Sequence, residues 1–304
     1  MTSRSPRPWI RSTALNPGEC VESLVLRLAP LGCVTAPELL KLGLGLDSRA
    51  LPMVTRSREA LSRLATIGSF DIDELISASW KATDRSVTVG LREIPLEWLV
   101  ADRRRTAPGI LARDRDGAWI RSLWQVSALP CDPVSGECLI DTCACGSPMF
   151  WSNAKTVWGC QFCGADVRKR IPTFVPDDLH QLVKEFSTLF QSQRVVTLPP
   201  PFNGVQDRTL FAAMSWLGTM VKDENGIPHA HHAVHGYQLL KEWPGSFDRW
   251  VHDRLSRSRV TGQSGAIAAI EASIHRSDER ALKDILLARL RVTIGASIAV
   301  QQSR

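Results

Sequence analysis

The sequence predicts a mainly α-helical protein, with an N-terminal helix-turn-helix-like domain, a central zinc ribbon and a C-terminal helical domain. Apolar residues recur at helical spacing behind capping signals in roughly the first hundred residues, and helical periodicity returns after Pro176. Between these regions, six of the eight cysteines fall within the segment from Cys131 to Cys163. We therefore place domains at residues 15–100, 101–172 and 173–304, behind a basic tail at 1–14 that we expect to be disordered.

The composition argues against two classes of protein. With 44% hydrophobic and 22% charged residues, the chain has ample apolar material for its cores and no sign of wholesale disorder. It has no run of about 18 apolar residues, so we expect no membrane helix.

Clustered cysteines without a secretion signal favour a metal site over disulfides, and a cytoplasmic location. The net charge of +6 and the pI of about 9.0 favour an anionic partner such as nucleic acid.

The first predicted helix pair begins with a capping signal. Asn16 is the N-cap, Pro17 takes the first helical position, and Glu19 lies three residues after the cap. An amphipathic stripe follows at helical spacing, formed by Val21, Leu24, Val25 and Leu28. Thr35 and Glu38 form a second capping box before a short leucine-rich helix. We therefore expect two consecutive helices at the start of the N-terminal domain.

The second predicted pair runs through residues 60–65 and, after Gly68, continues from Asp71. Two helices joined by a short glycine turn have the spacing of a helix-turn-helix, and a plain helical bundle fits the same pattern. The last helix opens with three carboxylates, which are poorly suited to a groove lined with phosphates. We therefore predict that this helix contacts a protein partner, through Asp71, Asp73 and Glu74.

The most specific signal is a double pair of cysteines, each pair followed by glycine. The pairs are Cys143 with Cys145, and Cys160 with Cys163. Four thiolates on two tight turns predict one tetrahedral, structural zinc ion with no open coordination position. Residues 149–151 and 156–158 have strand propensity and predict the hairpin of a zinc ribbon. Buried or disulfide-bonded cysteines are the alternative, and Cys138 is an alternative ligand to Cys143 because the first pair is one residue shorter than usual.

Two basic runs flank the cysteine cluster. Such runs can clamp the phosphates of DNA, and ordinary solvated loops explain them equally well. The candidate nucleic-acid contacts are Arg103, Arg104 and Arg105 on one side, and Arg168, Lys169 and Arg170 on the other. A histidine-rich segment is a further candidate metal site, with a solvated face as the alternative, and contains His229, His231, His232 and His235.

Three segments resemble the TniQ family of transposon target-selection proteins, in the order in which that family has them. Residues 15–19, together with Ser23 and Leu24 and the Arg-Leu-Ala at 27–29, are similar to the family's P-x-x-E-S opening and leucine-rich helix. Residues 124–146 are similar to its zinc-finger region. Residues 239–247 are similar to a leucine-leucine-x-x-tryptophan-proline element of its longer members. The resemblance extends through most of the chain.

The resemblance implies two zinc sites, of which this sequence keeps one. The ligands of the first site correspond to Ala107, Ile110, Cys131 and Val134. Alanine, isoleucine and valine cannot bind a metal, which leaves Cys131 without its partners. The resemblance therefore implies one structural zinc ion per chain, at the second site.

The resemblance also implies a function. Such proteins recognise an attachment site in target DNA, or a CRISPR effector with its guide RNA, and hand that location to an AAA+ ATPase and a transposase. The chain has no G-x-x-x-x-G-K-[ST] phosphate loop, so we expect it to be no enzyme and to leave the ATPase step to its partner. A zinc-ribbon transcription regulator without transposon partners is the first alternative, and an enzyme built on the histidines is the second. A homodimer is left open.

Overall fold

In a computed structural model of the chain, residues 13–47, 54, 57–191, 198–225, 232–257 and 262–302 are described. The chain divides into two compact units, Met1–Gln191 and Ser192–Arg304. Eleven α-helices and one three-stranded sheet lie in the described ranges, which confirms the mainly helical class. The predicted tail at 1–14 lies almost wholly outside them. No single helix within them is long and apolar enough to cross a membrane; the bent pair Val21–Leu31 and Ala36–Gly43 qualifies by length and composition only, across a 103° bend.

Helix α1 (Val21–Leu31) begins about one turn later than the capping signal predicts. Residues 16–19 instead form a turn, in which the Glu19 N–H donates to the Asn16 carbonyl at 3.0 Å. Gly18 makes this possible because its φ is +73°, a conformation that a helix does not allow. The apolar stripe itself is confirmed, since all four of its side chains are fully buried: Val21, Leu24, Val25 and Leu28.

The opening signature anchors α1 to the middle of the first unit. The buried Glu19 carboxylate pairs with Arg27 and accepts a hydrogen bond from the Ser23 hydroxyl at 2.9 Å. That hydroxyl in turn accepts from the Ile120 N–H at 2.9 Å, and the Cys20 N–H donates to the Ile120 carbonyl at 3.0 Å. The residues of this signature are therefore structural in this chain.

Three more helices complete the N-terminal region. Helix α2 (Ala36–Glu38) has the predicted capping box of Thr35 and Glu38 and continues as a π-helical turn, Leu39–Gly43. Helices α3 (Arg58–Gly68) and α4 (Ile72–Ala78) follow, joined by three residues. The Asp71 carboxylate caps α4 by accepting from the Asp73 N–H at 2.8 Å.

An antiparallel sheet, which was not predicted from the sequence, follows α4. Its strands are β1 (Lys81–Ala82), β2 (Ser86–Val89) and β3 (Arg92–Pro95), paired in the order β1-β2-β3. The β-branched residues of β2 before Gly90 were the available signal. The β2–β3 turn packs on the end of helix α6 (Asp177–Gln191), where the Leu91 N–H donates to the Phe190 carbonyl at 3.0 Å.

Between the sheet and α6, the chain is mostly irregular apart from helix α5 (Pro108–Asp114). The second unit contains only helices among its described residues: α7 (Asp207–Asn225), α8 (His232–Lys241), α9 (Gly245–Arg257), α10 (Gly262–His275) and α11 (Arg280–Gln302). Helices α7 and α8 approach closely, because a Cβ atom at Gly236 would lie 1.8 Å from the Met214 carbonyl oxygen. The tryptophan and phenylalanine of the third resembling segment, Trp243 and Phe247, are buried in this unit's core.

Candidate metal centre

The four predicted ligands converge in the first unit. Their Sγ atoms all lie within 4.8 Å of one another. The Cys143 and Cys163 sulfurs are 3.7 Å apart, and those of Cys145 and Cys160 are 3.9 Å apart. Zn–S bonds of about 2.3 Å in a tetrahedron place the sulfurs about 3.8 Å apart, whereas a disulfide bond is only about 2.05 Å long. The cluster therefore fits a single metal ion such as zinc, and all four cysteines are free thiols.

Each cysteine pair lies on a turn that ends at a glycine of positive φ. Gly146 has φ +82° and Gly164 has φ +73°. The Gly146 N–H donates to the Cys143 carbonyl at 2.9 Å, and the Gly164 N–H donates to the Cys160 carbonyl at 3.0 Å. In both turns the glycine N–H bonds back to the carbonyl of the first cysteine, three residues earlier in the first turn and four in the second. The shorter spacing of the first pair does not exclude Cys143 from the cluster.

Within each turn, the two cysteines have different surroundings. Hydrogen bonding to Ser147 lowers the pKa of Cys145 to about 6, whereas burial raises the pKa of Cys143 to about 12. Cys143 and Cys160 are buried and Cys145 and Cys163 are exposed, so the cluster has one covered side and one open to solvent. A metal ion there would be held by thiolates, the form in which cysteine binds metals.

The predicted hairpin of the ribbon is not formed. Residues 149–151 pair with the segment around Arg103, as in the Arg103–Phe150 bridge, instead of with residues 156–158. The Arg104 guanidinium explains the difference, because it lies between the two predicted strands. It donates to the Phe150 carbonyl at 3.1 Å on one side and to the Thr156 carbonyl at 2.8 Å on the other.

Arg104 is buried, and so is Arg105, which corrects the prediction that they contact phosphates. Arg104 also donates to the carbonyls of Val157 and Gly159 and to the side chain of Gln161. Arg105 donates to three carbonyls, those of Trp124, Val126 and Leu129. Burial lowers the pKa of each guanidinium to about 10, so both stay charged at neutral pH. Because these donors are used inside the fold, neither side chain is available to DNA.

The other four basic residues lie at the surface, and they differ in how many contacts they make with neighbouring groups. Arg103 pairs with Asp141 at 2.9 Å. Arg168 pairs with Asp166 at 2.7 Å and stacks 4.0 Å above the ring of Trp158. Arg170 is exposed and donates to the Thr142 carbonyl at 3.0 Å. Lys169 is exposed as well. Lys169 and Arg170 are therefore the most accessible cations of the two runs.

The two segments of the degenerate first site still face each other, joined by a carboxylate. Ala107 and Cys131 are fully buried, whereas Val134 is 85% exposed. The buried Glu137 carboxylate accepts from the N–H groups of Gly109 and Ile110 at 2.5 and 3.1 Å. These bonds connect the start of α5 to the hairpin of residues 131–138. No sequence pattern indicated Glu137, because its partners are backbone amides, which leave no side-chain pattern.

The alternative ligand Cys138 lies in that same hairpin. It pairs with Cys131 across an antiparallel bridge, while Cys143 is the member of the four-sulfur cluster. Cys131 therefore has a neighbouring thiol, although it belongs to no cluster of metal-ligating side chains among the described residues.

The acidic residues predicted to meet a protein partner are separate from the metal centre. Asp71, Asp73 and Glu74 are exposed at the first turn of α4. The third candidate site is described only in part, because His229 and His231 lie outside the described residues. Neither His232, which is buried, nor His235 belongs to a cluster of metal-ligating side chains within the part of the chain that the structure describes.

Comparison with known proteins agrees with the predicted resemblance. Residues 11–132 match the TniQ family model, which confirms the resemblance to that family. The match covers the opening signature, the helices α1 to α5 and three of the four positions of the degenerate first site, and it ends before Val134 and the four-cysteine cluster. No curated protein matches the chain.

Proposed function

We propose that this chain, whose residues 11–132 match the TniQ family, is a target-selection adaptor in DNA transposition. In this proposal it links target DNA, or a CRISPR effector with its guide RNA, to an AAA+ ATPase and a transposase. The TniQ match is the observation that carries the proposal, because that family is associated with the choice of transposition target. The geometry of the first unit suggests which surfaces serve which partner.

The acidic start of α4 is the surface that we assign to the ATPase. Its three carboxylates are solvent-exposed, and they repel the phosphates of DNA. A basic face on a protein partner would complement them, which speeds encounter and fixes orientation. Asp71 has a second role as the cap of α4, so its charge cannot be reversed without disturbing the helix.

The surface beside the metal centre is the one that we assign to target DNA. Lys169 and Arg170 are exposed there, whereas Arg168 is held by Asp166 and Trp158. We propose that the metal has a structural role, as one zinc ion held by Cys143, Cys145, Cys160 and Cys163. Four thiolates complete the coordination of zinc and leave no position for a substrate, so the zinc would stabilise the fold.

The test is co-purification with an AAA+ transposition ATPase. The variant carries Asp73→Lys and Glu74→Lys together with Asp71→Asn, which keeps a capping side chain on α4. The matched control carries Asp177→Lys and Asp178→Lys, because these residues are exposed in the first turn of α6. The two double reversals change the net charge by the same amount and face the same helix dipole, and Asp71→Asn removes one further negative charge from the α4 variant.

We expect the ATPase to co-purify with the α6 control but not with the α4 variant, and the zinc content to be unchanged in both. If the α4 variant binds the ATPase with wild-type affinity, the assignment of this surface is wrong. If the wild-type chain binds DNA but no transposition ATPase, the alternative of a DNA-binding transcription regulator replaces the adaptor. Strand transfer or ATP hydrolysis by the chain alone would overturn the non-enzymatic assignment.

A further inference from the structure

Cys131 and Cys138 lie directly opposite each other on the hairpin that carries Glu137. They form an antiparallel bridge. The bridge is flanked by hydrogen bonds from the Asp132 N–H to the Glu137 carbonyl, at 2.8 Å, and from the Leu139 N–H to the Pro130 carbonyl, at 3.0 Å. The two cysteines exchange no backbone bond with each other, so they occupy a non-hydrogen-bonded position of the ladder. At such positions opposing Cα atoms are about 4.5 Å apart and side chains are closest.

That separation suits a disulfide, whose Cα atoms are usually about 4.4–6.8 Å apart. Both residues are free thiols and neither belongs to the four-sulfur cluster. Cys131 is fully buried, whereas Cys138 is partly exposed. The hairpin therefore presents one thiol to solvent and places a second directly behind it.

We propose that Cys131 and Cys138 are an oxidative modification site, which a small disulfide of the glutathione class closes to an intrachain disulfide. The Cys138 thiol loses its proton and attacks one sulfur of the small disulfide, releasing one thiol. Cys131 then loses its proton and attacks the Cys138 sulfur of the mixed disulfide, releasing the second thiol. The two cysteines are oxidised by two electrons, and the small disulfide is reduced to two thiols.

Closure would fix the hairpin that is bonded to two other parts of the first unit. Asp132 accepts from the Trp124 indole N–H at 2.8 Å, and Glu137 accepts from the first turn of α5. The disulfide would thus stabilise, by a covalent bond, the region in which the first metal site has been lost. This assignment is independent of target selection, and its test requires no transposition partner.

The experiment incubates the zinc-loaded full chain with glutathione disulfide, blocks the remaining thiols by alkylation, and maps peptides by mass spectrometry without reduction. We expect a peptide that joins Cys131 to Cys138 and is lighter by two hydrogens, with the zinc content unchanged. Reduction should restore both alkylation sites. In Cys131→Ser the reaction should stop at the mixed disulfide on Cys138, because the resolving thiol is missing.

Cys33 is the internal control, because it is exposed and lies outside the hairpin. Its modification shows that the oxidant was active in the same sample. The proposal is overturned if Cys33 is fully modified while Cys131 and Cys138 remain thiols. It is equally overturned if the mixed disulfide on Cys138 persists in the wild-type chain, or if Cys138 links to a cysteine of the metal cluster.

Discussion

Replacing Arg104 by lysine separates a structural arginine from one that contacts DNA. A lysine keeps the positive charge, so a phosphate contact would survive largely intact. Inside the fold the outcome differs, because the Arg104 guanidinium donates to four backbone carbonyls and one side-chain oxygen, and an ammonium has only three donors on one atom. At least two of these five buried or half-buried acceptors then lose their partner.

Each buried acceptor left without a partner costs about 1–3 kcal/mol, so two of them cost roughly 3 kcal/mol of unfolding free energy. For a unit of this size, that lowers the melting temperature by about 6–12 °C. Calorimetry of the zinc-loaded chain measures this loss. The control is Arg103→Lys, since Arg103 is 41% exposed and pairs with Asp141 at the surface. If Arg104→Lys melts within about 1 °C of the control, Arg104 does not hold the segment between the cysteine pairs.

Three further predictions concern the same region. The purified chain should carry about one equivalent of zinc, and two equivalents would contradict the loss of the first site. Cys160→Ser should abolish zinc binding and unfold the surrounding segment, because metal binding is coupled to folding there. Lys169→Ala with Arg170→Ala should weaken DNA binding at all sequences and reduce the salt slope by about two, and an unchanged slope would make both residues ordinary surface. Glu137→Gln should cost about 1–3 kcal/mol in a denaturant titration, because the two N–H groups contact different carboxylate oxygens and the NH2 group that replaces one oxygen cannot accept. An unchanged midpoint would show that Glu137 does not join the two segments.

The sequence predicted the features that depend on short-range patterns. The stripe of α1, the capping box at Thr35 and the four-cysteine cluster each rest on residues close together in the chain, and the structure has all three. The predicted start of α1 was wrong because residues 16–19 fit a turn as well as a first helical turn. The contacts of Glu19 with Arg27 and Ser23, which the pattern does not show, decide in favour of the turn.

Features that depend on distant contacts could not be read from the pattern. A run of three arginines looks like a phosphate-binding surface, and nothing in its sequence shows that Arg104 and Arg105 point inward to carbonyls up to 55 residues away. The pairing of residues 149–151 was wrong for the same reason, since Arg104 occupies the space between the predicted strands. The Glu137 carboxylate likewise accepts hydrogen bonds from backbone N–H groups that lie 27 and 28 residues away in the chain.

The distribution of insertion sites in a reconstituted transposition reaction tests the adaptor function most directly. The reaction contains the transposase, the AAA+ ATPase and a pool of DNA that includes the candidate attachment site or the guide-matched target, with or without this chain. The adaptor account predicts that the chain concentrates insertions at one defined distance from that target, and that the Asp71→Asn, Asp73→Lys, Glu74→Lys variant disperses them. Insertions distributed identically with and without the chain would contradict it.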